Sequence, residues 1–511
     1  MTRLVVPNLR PVVWKVFLPA VVVLLGAALA VLPLKWAALL LVGGILLVTL
    51  LIRPQLALCL LALAVPFGSI REVSLGPVSV GGAEVLLALL LAIWFAQMVA
   101  RRRIYVPHTP LLLPLSLFVA ALLLSLLPAR SFELSAKEIV KWLEIIAIYW
   151  FMASALGERW GRWVVWSLLV AGSTEAAVGI YQFLWRVGPE GFVLFGRFMR
   201  AYGHFAQPNP FAGYLGLGLP LAYALTLDLF QPRSSGDGQS GTAGGSLLQR
   251  IEMAVLRILP VAALGIMTLA MLMSWSRGAW VGLAAALLVV TAARSRTALV
   301  TTVVIGLVVA YFLLAGGAHY LPPALVQRVA DFLPVVGTPY PLLGVEGVDI
   351  ASVEVNDANW AVIERMAHWQ AAAGMFSDHP WLGVGIGNYP VAYPQYAVGR
   401  WRDPLGHAHN YYLNIAAEAG IIGLGTYLLL FGACFVVAWR AVQRTQGYWR
   451  AVALGALGVL VHLSVHNLFD NLFVHSMNVQ LGLILGLLFL ADRYGAAENA
   501  HHGDAPNAHR D

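Results

Sequence analysis

The residues with the clearest chemical potential in this sequence are arginines and a histidine set among apolar segments. Arg277 lies in the stretch Met-Ser-Trp-Ser-Arg-Gly-Ala-Trp, residues 273–280, which joins two apolar segments by a tight turn. Gly278 permits the turn, and Ser276, Arg277 and the first free amides of the following helix would together cradle an anion. The alternative is an interfacial arginine that extends its charge to the membrane surface between two tryptophans.

A second arginine belongs to a predicted amphipathic helix at residues 359–376. Arg365, His368 and Trp369 share or adjoin one face of that helix, at spacings of three and four residues. The helix leads into a Gly-rich turn at residues 378–388. This turn is not a nucleotide-phosphate loop, because the Lys-Ser/Thr signature is missing. A compact turn without a ligand is the alternative.

The third motif, Gly-His-Ala-His-Asn-Tyr-Tyr-Leu at residues 406–413, comes directly before an apolar segment. Asn410 is a predicted helix N-cap, which places His409 at the positive end of a helix. That position favours the neutral imidazole, which a general base requires. Two alternatives stay open: a hydrogen-bonded loop histidine, and a metal site built from His407, His409 and Asp403.

Two further polar segments precede or join apolar segments. In residues 202–214, Asn209 is a candidate helix N-cap and Gln207 is a candidate contact for sugar hydroxyls. Residues 465–471 read Val-His-Asn-Leu-Phe-Asp-Asn and join the last two apolar segments. Ordinary turn chemistry explains either segment equally well.

The elements that carry these motifs are predicted to be membrane-spanning helices. Of the 511 residues, 60% are hydrophobic and only 11% are charged, whereas a soluble protein carries about 25% charged residues. This composition excludes a soluble enzyme, a disordered chain and a fibre, and the segments are too long for barrel strands. Cys59 and Cys434 lie in apolar runs and are expected to be core residues. About fourteen apolar segments lie near residues 13–32, 36–52, 55–67, 80–100, 110–128, 138–156, 163–184, 210–230, 254–275, 279–293, 298–316, 412–438, 451–467 and 471–491.

The basic residues predict the orientation of these segments. They follow even-numbered segments, in the clusters Arg101–Arg103, Arg159 and Arg162, Arg233 and Arg250, Arg294 and Arg296, and Arg440, Arg444 and Arg450. Because basic loops stay cytoplasmic, both termini are predicted to be cytoplasmic, and the first segment is predicted to be an uncleaved helix. The net charge of +7 then needs no nucleic acid to explain it.

The same topology divides the chain into four parts. Residues 1–316 hold eleven spans with a cytoplasmic linker at 232–246, and residues 317–411 form a large extracytoplasmic loop. Residues 412–492 hold three more spans, and residues 493–511 are predicted to be a disordered cytoplasmic tail. All five polar motifs then lie at one outer face of the membrane.

Several arginines fall on the outer side, against the insertion bias, and this invites an anionic ligand there. They are Arg197, Arg200, Arg277, Arg328, Arg365, Arg400 and Arg402. The alternative is that they pair with outer acidic residues such as Glu190, Glu354, Glu364 or Asp378.

At these motifs the sequence resembles the O-antigen ligase and polymerase family of membrane glycosyltransferases. The matching pieces are Gln207–Tyr214, Ser276–Trp280, Arg365 with Trp369, Asp378–Asn388, His409–Leu413 and Glu418–Gly423. The resemblance implies an all-α polytopic membrane protein with about 12–14 transmembrane helices, a GT-C-like bundle and a large outer loop. It also implies transfer outside the cytoplasmic (inner) membrane from an undecaprenyl-diphosphate-linked glycan donor, without nucleotide sugar, metal or other cofactor.

Carried over by motif, the resemblance implies that Arg277 and Arg365 hold the diphosphate and that His409 is the catalytic histidine. The acceptor would be a hydroxyl of a glycan, a glycolipid or a protein, and a single displacement would invert the anomeric centre. Tyr389, Tyr393, Tyr396 and Trp401 are candidates for stacking on sugars, and a position in the aromatic belt at the membrane interface explains them equally well. The candidate substrate-binding residues are Arg200, Gln207, Asn209, Ser276, Trp369, Asp378, Asn388, Arg402, His407, Asn410 and Tyr411.

A flippase or exporter of lipid-linked glycans is the alternative function. Such a protein should line a path through the bilayer with polar residues. Few candidates lie inside the segments, namely Lys141, Glu144, Glu175 and Asp228. The polar residues instead concentrate at one face, which favours an enzyme, and a purely structural scaffold leaves the outer arginines unexplained.

Overall fold

The structure, a computed structural model, is mostly helical. It describes residues 26, 31–67, 73–75, 78–102, 107–230, 247–314, 350, 354–355 and 359–503. Most of the first apolar segment, the linker at 232–246 and Arg328 therefore lie outside the described residues.

The helices are numbered here in chain order. They are α1 (Leu34–Ile52), α2 (Leu56–Ala64), α3 (Gly82–Ala100), α4 (Leu112–Leu124), α5 (Phe132–Ala155), α6 (Glu158–Trp185), α7 (Pro208–Gly216), α8 (Leu219–Leu229), α9 (Leu247–Met273), α10 (Arg277–Arg294), α11 (Arg296–Leu314), α12 (Trp360–Asp378), α13 (Tyr389–Ala392), α14 (Tyr411–Arg444), α15 (Gly447–His466) and α16 (Met477–Gly503). Short 3₁₀ turns occupy Val65–Phe67, Glu190–Phe192 and Tyr393–Gln395. Two antiparallel hairpins pair β1 (Val73–Leu75) with β2 (Val78–Val80) and β3 (Val193–Leu194) with β4 (Phe198–Met199).

The predicted all-α polytopic architecture is confirmed. Within the described residues, seven helical stretches, with Pro208–Leu229 (α7 and α8) counted as one, are long and apolar enough to cross a membrane, and further apolar helices are shorter. The segment predicted at 210–230 is divided into α7 and α8, with the break at Leu217 and Gly218. The total number of spans stays a prediction. α16 continues to Gly503, into the part for which a disordered tail was expected.

The helix α15 lies at the centre of the bundle and packs against α8, α10, α14 and α16. It approaches α10 closely because α10 presents glycines to it. A Cβ at Gly278 or Gly282 would lie 3.0 Å from a ring atom of His466 or His462, respectively. Small residues at such a contact let two helix backbones come together in a membrane.

The Gly-rich turn docks onto α14 at a kink. Gly420 interrupts α14 with φ 64° and ψ −164°. Gly385 N–H donates to the Glu418 carbonyl at 2.9 Å. Gly383 has φ +66°, and a Cβ there would lie 2.3 Å from the Glu418 carbonyl carbon, so only glycine fits. The glycines of this turn therefore serve a backbone-to-backbone contact.

Asn388 fastens the end of the same turn to the start of α5. Its side chain is 1% exposed. The amide oxygen accepts from the N–H groups of Arg130 at 3.0 Å and Ser131 at 2.7 Å. The amide nitrogen donates to Ser135 Oγ at 2.9 Å and to the Ile386 carbonyl at 3.0 Å. The end of the bundle that carries this clamp and α12 is called the α12 end below.

Candidate active site

The α12 end brings together α12, the loop before α14, and the turn between α15 and α16 at residues 467–476. Arg365 Nε donates to the Phe469 carbonyl at 3.3 Å, which ties α12 to that turn. Trp369 Nε1 donates to the His409 carbonyl at 3.4 Å, which ties α12 to the loop. The predicted helix face that carries Arg365, His368 and Trp369 therefore lies against the loop before α14 and the turn between α15 and α16.

The start of α14 is built as the sequence predicts. Asn410 Oδ1 accepts from the N–H groups of Tyr412 at 3.0 Å and Leu413 at 3.1 Å, so Asn410 is the N-cap. His409, directly before the cap, has φ +51°, in the left-handed region. This backbone turn directs the imidazole away from α14 and toward the turn between α15 and α16.

The imidazole of His409 faces a carboxylate that lies far away in sequence. His409 Nδ1 lies 3.5 Å from Asp470 Oδ1, and His407 Nε2 lies 3.9 Å from the same oxygen. Burial alone would raise the pKa of Asp470. The close approach of His409, with His407 and the guanidinium of Arg365 nearby, outweighs burial and holds the pKa of Asp470 well below its usual range. Asp470 is therefore an anion at any physiological pH.

The hydrogen bonds assign a tautomer to His407. Its Nδ1 accepts the backbone N–H of His409 at 3.1 Å. Burial, together with neighbouring His409, lowers the pKa of His407 to about 4, so the ring is neutral near pH 7. Its single proton then sits on Nε2 and faces Asp470. If His409 likewise directs Nδ1–H at Asp470, His409 Nε2 carries the basic lone pair.

The same three side chains are also close enough to hold a metal ion. Ligand atoms of His407, His409 and Asp470 all lie within 4.8 Å of one another. Asp470 takes the place predicted for Asp403, whose carboxylate instead accepts the N–H of Leu405 at 3.2 Å. A metal would need the Nε2 lone pair of His407, but that atom carries the proton while Nδ1 accepts a hydrogen bond. This tautomer of His407 therefore disfavours a metal site.

His368 and two tyrosines form the floor of this cluster. His368 is 1% exposed, its Nδ1 lies 2.9 Å from Tyr389 Oη, and its ring stacks on Tyr393 at 4.7 Å. Burial lowers the pKa of His368 to about 4. The two tyrosine rings are fully buried, so the expectation that they stack on sugars is wrong. They support His409, whose ring lies 5.7 Å from that of His368.

Arg277 borders the same turn from the other side. It is the first residue of α10 and is half-buried. A Cβ at the next residue, Gly278, would lie 3.0 Å from His466 and 3.1 Å from Phe469, so this end of α10 packs on the turn. Ser276 occupies the N-cap position, but it is 3% exposed and its side chain makes no capping hydrogen bond.

The segment before α7 is tied to the turn that precedes Arg277. Arg200 Nη2 donates to Asn209 Oδ1 at 2.9 Å, and Arg200 Nε donates to the Ser274 carbonyl at 2.8 Å. The prediction of Asn209 as N-cap is wrong. α7 begins at Pro208, whose fixed φ suits the first helical position, and exposed Gln207 stands at the cap.

Other predicted site residues lie elsewhere or point inward. Asp378 ends α12 and accepts a hydrogen bond from the Tyr396 hydroxyl at 2.9 Å. Arg402 is exposed in the loop before α14. Tyr411 is 3% exposed, and the side chain of Asn388 forms the buried clamp.

Sequence reasoning missed the role of Asp470. It placed the residue in a segment that turn chemistry explains, although His462, His466 and Asp470 recur at a spacing of four. That spacing aligns side chains on one helical face and was the signal available.

In the described residues, both ring nitrogens of His409 and His466 Nδ1 are buried without a hydrogen bond. Because buried polar atoms are nearly always paired, these atoms indicate a place for a ligand or water.

Three of the four ionisable residues predicted inside the segments, Lys141, Glu144 and Glu175, are held by other protein groups. Lys141 Nζ donates to Glu138 Oε1 at 2.6 Å and to the Phe473 carbonyl at 3.0 Å. Glu144 accepts from Asn478 at 2.6 Å. Glu175 accepts from His204 Nδ1 at 2.8 Å. These hydrogen bonds account for the ionisable side chains, so a pathway for moving a glycan through the bilayer is not needed to explain them.

Comparison with known proteins gives one family. Residues 262–428 match the family model described as O-antigen ligase, which supports assignment of the chain to the O-antigen ligase family. The resemblance drawn from the motifs is thereby confirmed. The matched range contains Arg277, Arg365 and His409 and ends before Asp470. No curated protein matches the chain. Together with the apolar helices, the match indicates a multi-pass membrane protein and O-antigen ligase-like glycosyl transfer in the cell envelope.

Proposed function

We propose that the protein transfers a glycan from an undecaprenyl-diphosphate-linked donor to an acceptor hydroxyl, at the α12 end of the bundle, outside the cytoplasmic membrane. One observation carries this proposal: Gly278 next to Arg277, the guanidinium of Arg365 and the His409–Asp470 pair all border the turn between α15 and α16. Two cations beside a proton acceptor match what a displacement at a lipid diphosphate requires.

The arginines stabilise the leaving group. Arg365 uses two of its N–H groups on the carbonyls of Phe469 and Ala361, which fixes the direction of the guanidinium. A guanidinium has five N–H donors, so three remain that can bind phosphate oxygens bidentately. Arg277 supplies a second positive charge from the N-terminus of α10, where the first helix amides also favour an anion. The charge that develops on the diphosphate is stabilised in this way.

His409 activates the acceptor. Its Nε2 takes the proton of the acceptor hydroxyl while the oxygen attacks the anomeric carbon. The bond between that carbon and the diphosphate oxygen breaks, and the diphosphate leaves with the electron pair. Asp470 stays ionised and stabilises the imidazolium that forms. One displacement of this kind inverts the anomeric centre, and no second carboxylate is needed.

The two guanidiniums supply the positive charge that a divalent metal would otherwise bring to the diphosphate. We therefore propose a metal-independent transfer. Whether the acceptor is a glycan, a glycolipid or a protein decides between polymerase, ligase and protein glycosyltransferase.

The test is purified protein in liposomes with a lipid-diphosphate-linked glycan and each candidate acceptor. Chain extension identifies a polymerase, and a single transfer identifies a ligase or protein glycosyltransferase. Translocation of the donor without any transfer would contradict the proposal and favour the flippase alternative. In the same assay a chelator should leave the rate unchanged, and a loss that divalent ions restore would contradict metal independence.

The side of the membrane can be tested with a single thiol. The native thiols, Cys59 and Cys434, are buried at 6% and 1% exposure, so their background reaction should be low. The variant Arg402→Cys places a thiol in the exposed loop before α14. A membrane-impermeant reagent should label it in intact cells. Labelling only after the cytoplasmic side is opened would contradict the proposed topology.

A further inference from the structure

A second polar recess lies at the α12 end, apart from the His409 cluster. It opens between the loop before α5 and the Gly-rich turn, has a cavity volume of about 50 Å³ and is open to solvent at its mouth. Its polar lining comes from Arg130, His379, Asn388, Gln395 and Tyr396, and Val384 lies among its apolar residues. No step of the proposed reaction uses any of these side chains.

The walls of this recess are fixed before any ligand arrives. Asn388 joins them, because it accepts the N–H groups of Arg130 and Ser131 at 3.0 and 2.7 Å. Gly385 lies directly against the other wall, since a Cβ there would lie 2.6 Å from the Ala129 Cα. Arg130 joins this clamp through its backbone N–H, and its exposed side chain projects from it. A recess held in this way loses little freedom when it binds a ligand.

The lining suits the ring of a sugar. Tyr396 offers a half-exposed aromatic ring, and its hydroxyl is oriented by donation to Asp378 Oδ2 at 2.9 Å. Guanidinium, imidazole and amide groups around that ring can donate to and accept from several hydroxyls. Aromatic rings with nearby polar groups suit a ligand that is apolar on one face and polar at its edge. A phosphate is less suited, because the carboxylate of Asp378 borders the recess.

The position of the recess along α12 relates it to the reaction. His368 packs beside His409, whereas Asp378, which accepts a hydrogen bond from Tyr396 of the recess, lies ten residues further along the same helix. At 1.5 Å per residue this separation is roughly 15 Å, a length of a few sugar units. An oligosaccharide that reacts at His409 can therefore extend along α12 to the recess.

We propose that this recess, lined by Arg130, His379, Gln395 and Tyr396, is a carbohydrate-binding subsite for a sugar unit of the lipid-linked glycan that lies several units from the transferred bond. The link to transfer rests on the proposed function, whereas carbohydrate binding in the recess can be measured without it. The sugar unit can belong to the donor or to a glycan acceptor, and the experiment separates the two.

The test uses the double variant Arg130→Ala/Gln395→Ala in the full-length protein. Its matched control is Arg186→Ala, which removes an arginine at the end of α6, outside the recess lining. Each protein is assayed with donors that carry one sugar or a full oligosaccharide, and then with acceptors of both lengths. In the double variant, the KM of the long substrate should rise about tenfold more than the KM of the short one. A tenfold change corresponds to the loss of about two hydrogen bonds. The substrate that shows this ratio, donor or acceptor, is the one that occupies the recess.

Binding of the free oligosaccharide, measured by calorimetry on protein in nanodiscs, provides a readout independent of transfer. The double variant should bind about tenfold more weakly than the wild type and the control, with an unchanged unfolding temperature. Equal KM ratios and equal binding in all three proteins would overturn the subsite. The wild-type protein could also transfer no glycan yet bind the free oligosaccharide more tightly than the double variant does. That result would support the subsite and refute the proposed function.

Discussion

Two polar regions at the α12 end differ in how their buried polar atoms are satisfied. In the clamp around Asn388 and Glu418, the side-chain atoms have protein partners. Glu418 accepts from the Tyr389 N–H at 2.8 Å and from Asn414 Nδ2 at 3.0 Å. In the cluster around His409, neither ring nitrogen makes a hydrogen bond within the described residues, and Asp470 lies 3.5 Å away.

The difference separates a structural region from a chemical one. A fully satisfied buried network rigidifies the fold, because each donor and acceptor is already used. A buried polar group without a partner costs stability, so it persists where another role requires it. The clamp should therefore matter for stability, and the cluster should matter for the reaction. The predictions below test that division, from the largest expected effect to the smallest.

Asp470→Asn should lower the rate constant of transfer by about a hundred- to a thousandfold, with the fold retained. The variant keeps the shape of the side chain but removes the charge that orients His409 and stabilises its imidazolium. The measurement is kcat on purified protein beside Asp403→Asn, which alters an exposed loop carboxylate and should have a normal rate. An unchanged kcat in Asp470→Asn would remove this residue from the reaction.

Arg365→Ala should raise the KM for the lipid-diphosphate donor by about tenfold or more, and Arg277→Ala should do the same. Arg365→Lys should recover only part of the loss, because an ammonium cannot bind phosphate in the bidentate manner of a guanidinium. The control is Arg400→Ala, whose guanidinium stacks over Trp360 at 5.1 Å. Unchanged donor affinity in both Arg365→Ala and Arg277→Ala would refute the diphosphate clamp.

Asn388→Ala should destabilise the protein by about 2–4 kcal/mol, because it leaves the buried N–H groups of Arg130 and Ser131 without their acceptor. Thermal unfolding in detergent measures the loss. The transfer rate per folded molecule should stay close to that of the wild type. A normal unfolding temperature with a greatly reduced transfer rate would contradict the structural role of Asn388 and assign it to the active site.

The contribution of His368 and His407 to stability should fall on acidification from pH 7 to pH 5. Burial lowers the pKa of His368 and of His407 to about 4 in the folded protein, whereas an unfolded histidine titrates near 6.5. Between these values the unfolded chain binds more protons, so stability falls as the pH falls, by up to about 1.4 kcal/mol per pH unit and per histidine. His407→Asn should show a shallower pH dependence, and an identical slope would contradict the buried neutral ring.

Much of the bundle was predictable because it depends on local sequence. Long apolar runs specify spanning helices, and Asn410 directly before such a run specifies an N-cap. The spacing of Arg365, His368 and Trp369 placed all three on the face that meets His409. These features require no knowledge of which helices pack together.

The remainder depended on packing between distant segments. Asp470 reaches His409 only because α15 and α14 meet at their ends, and no local pattern states that contact. Asn388 stands in a Gly-rich turn, and its sequence context cannot tell whether the amide faces a ligand or the start of α5. Asn209 was misplaced as a cap because α7 begins at the preceding proline, Pro208, two residues earlier than a cap at Asn209 requires.

The division between the two regions is tested most directly by one paired measurement, the transfer rate per folded molecule in His409→Gln and Asn388→Ala. Both proteins are reconstituted with the same lipid-linked donor and acceptor, and the folded fraction is determined for each. His409→Gln should fold normally and transfer no detectable glycan, whereas Asn388→Ala should fold less stably and transfer at nearly the wild-type rate. Full activity in His409→Gln would contradict its assignment as the base.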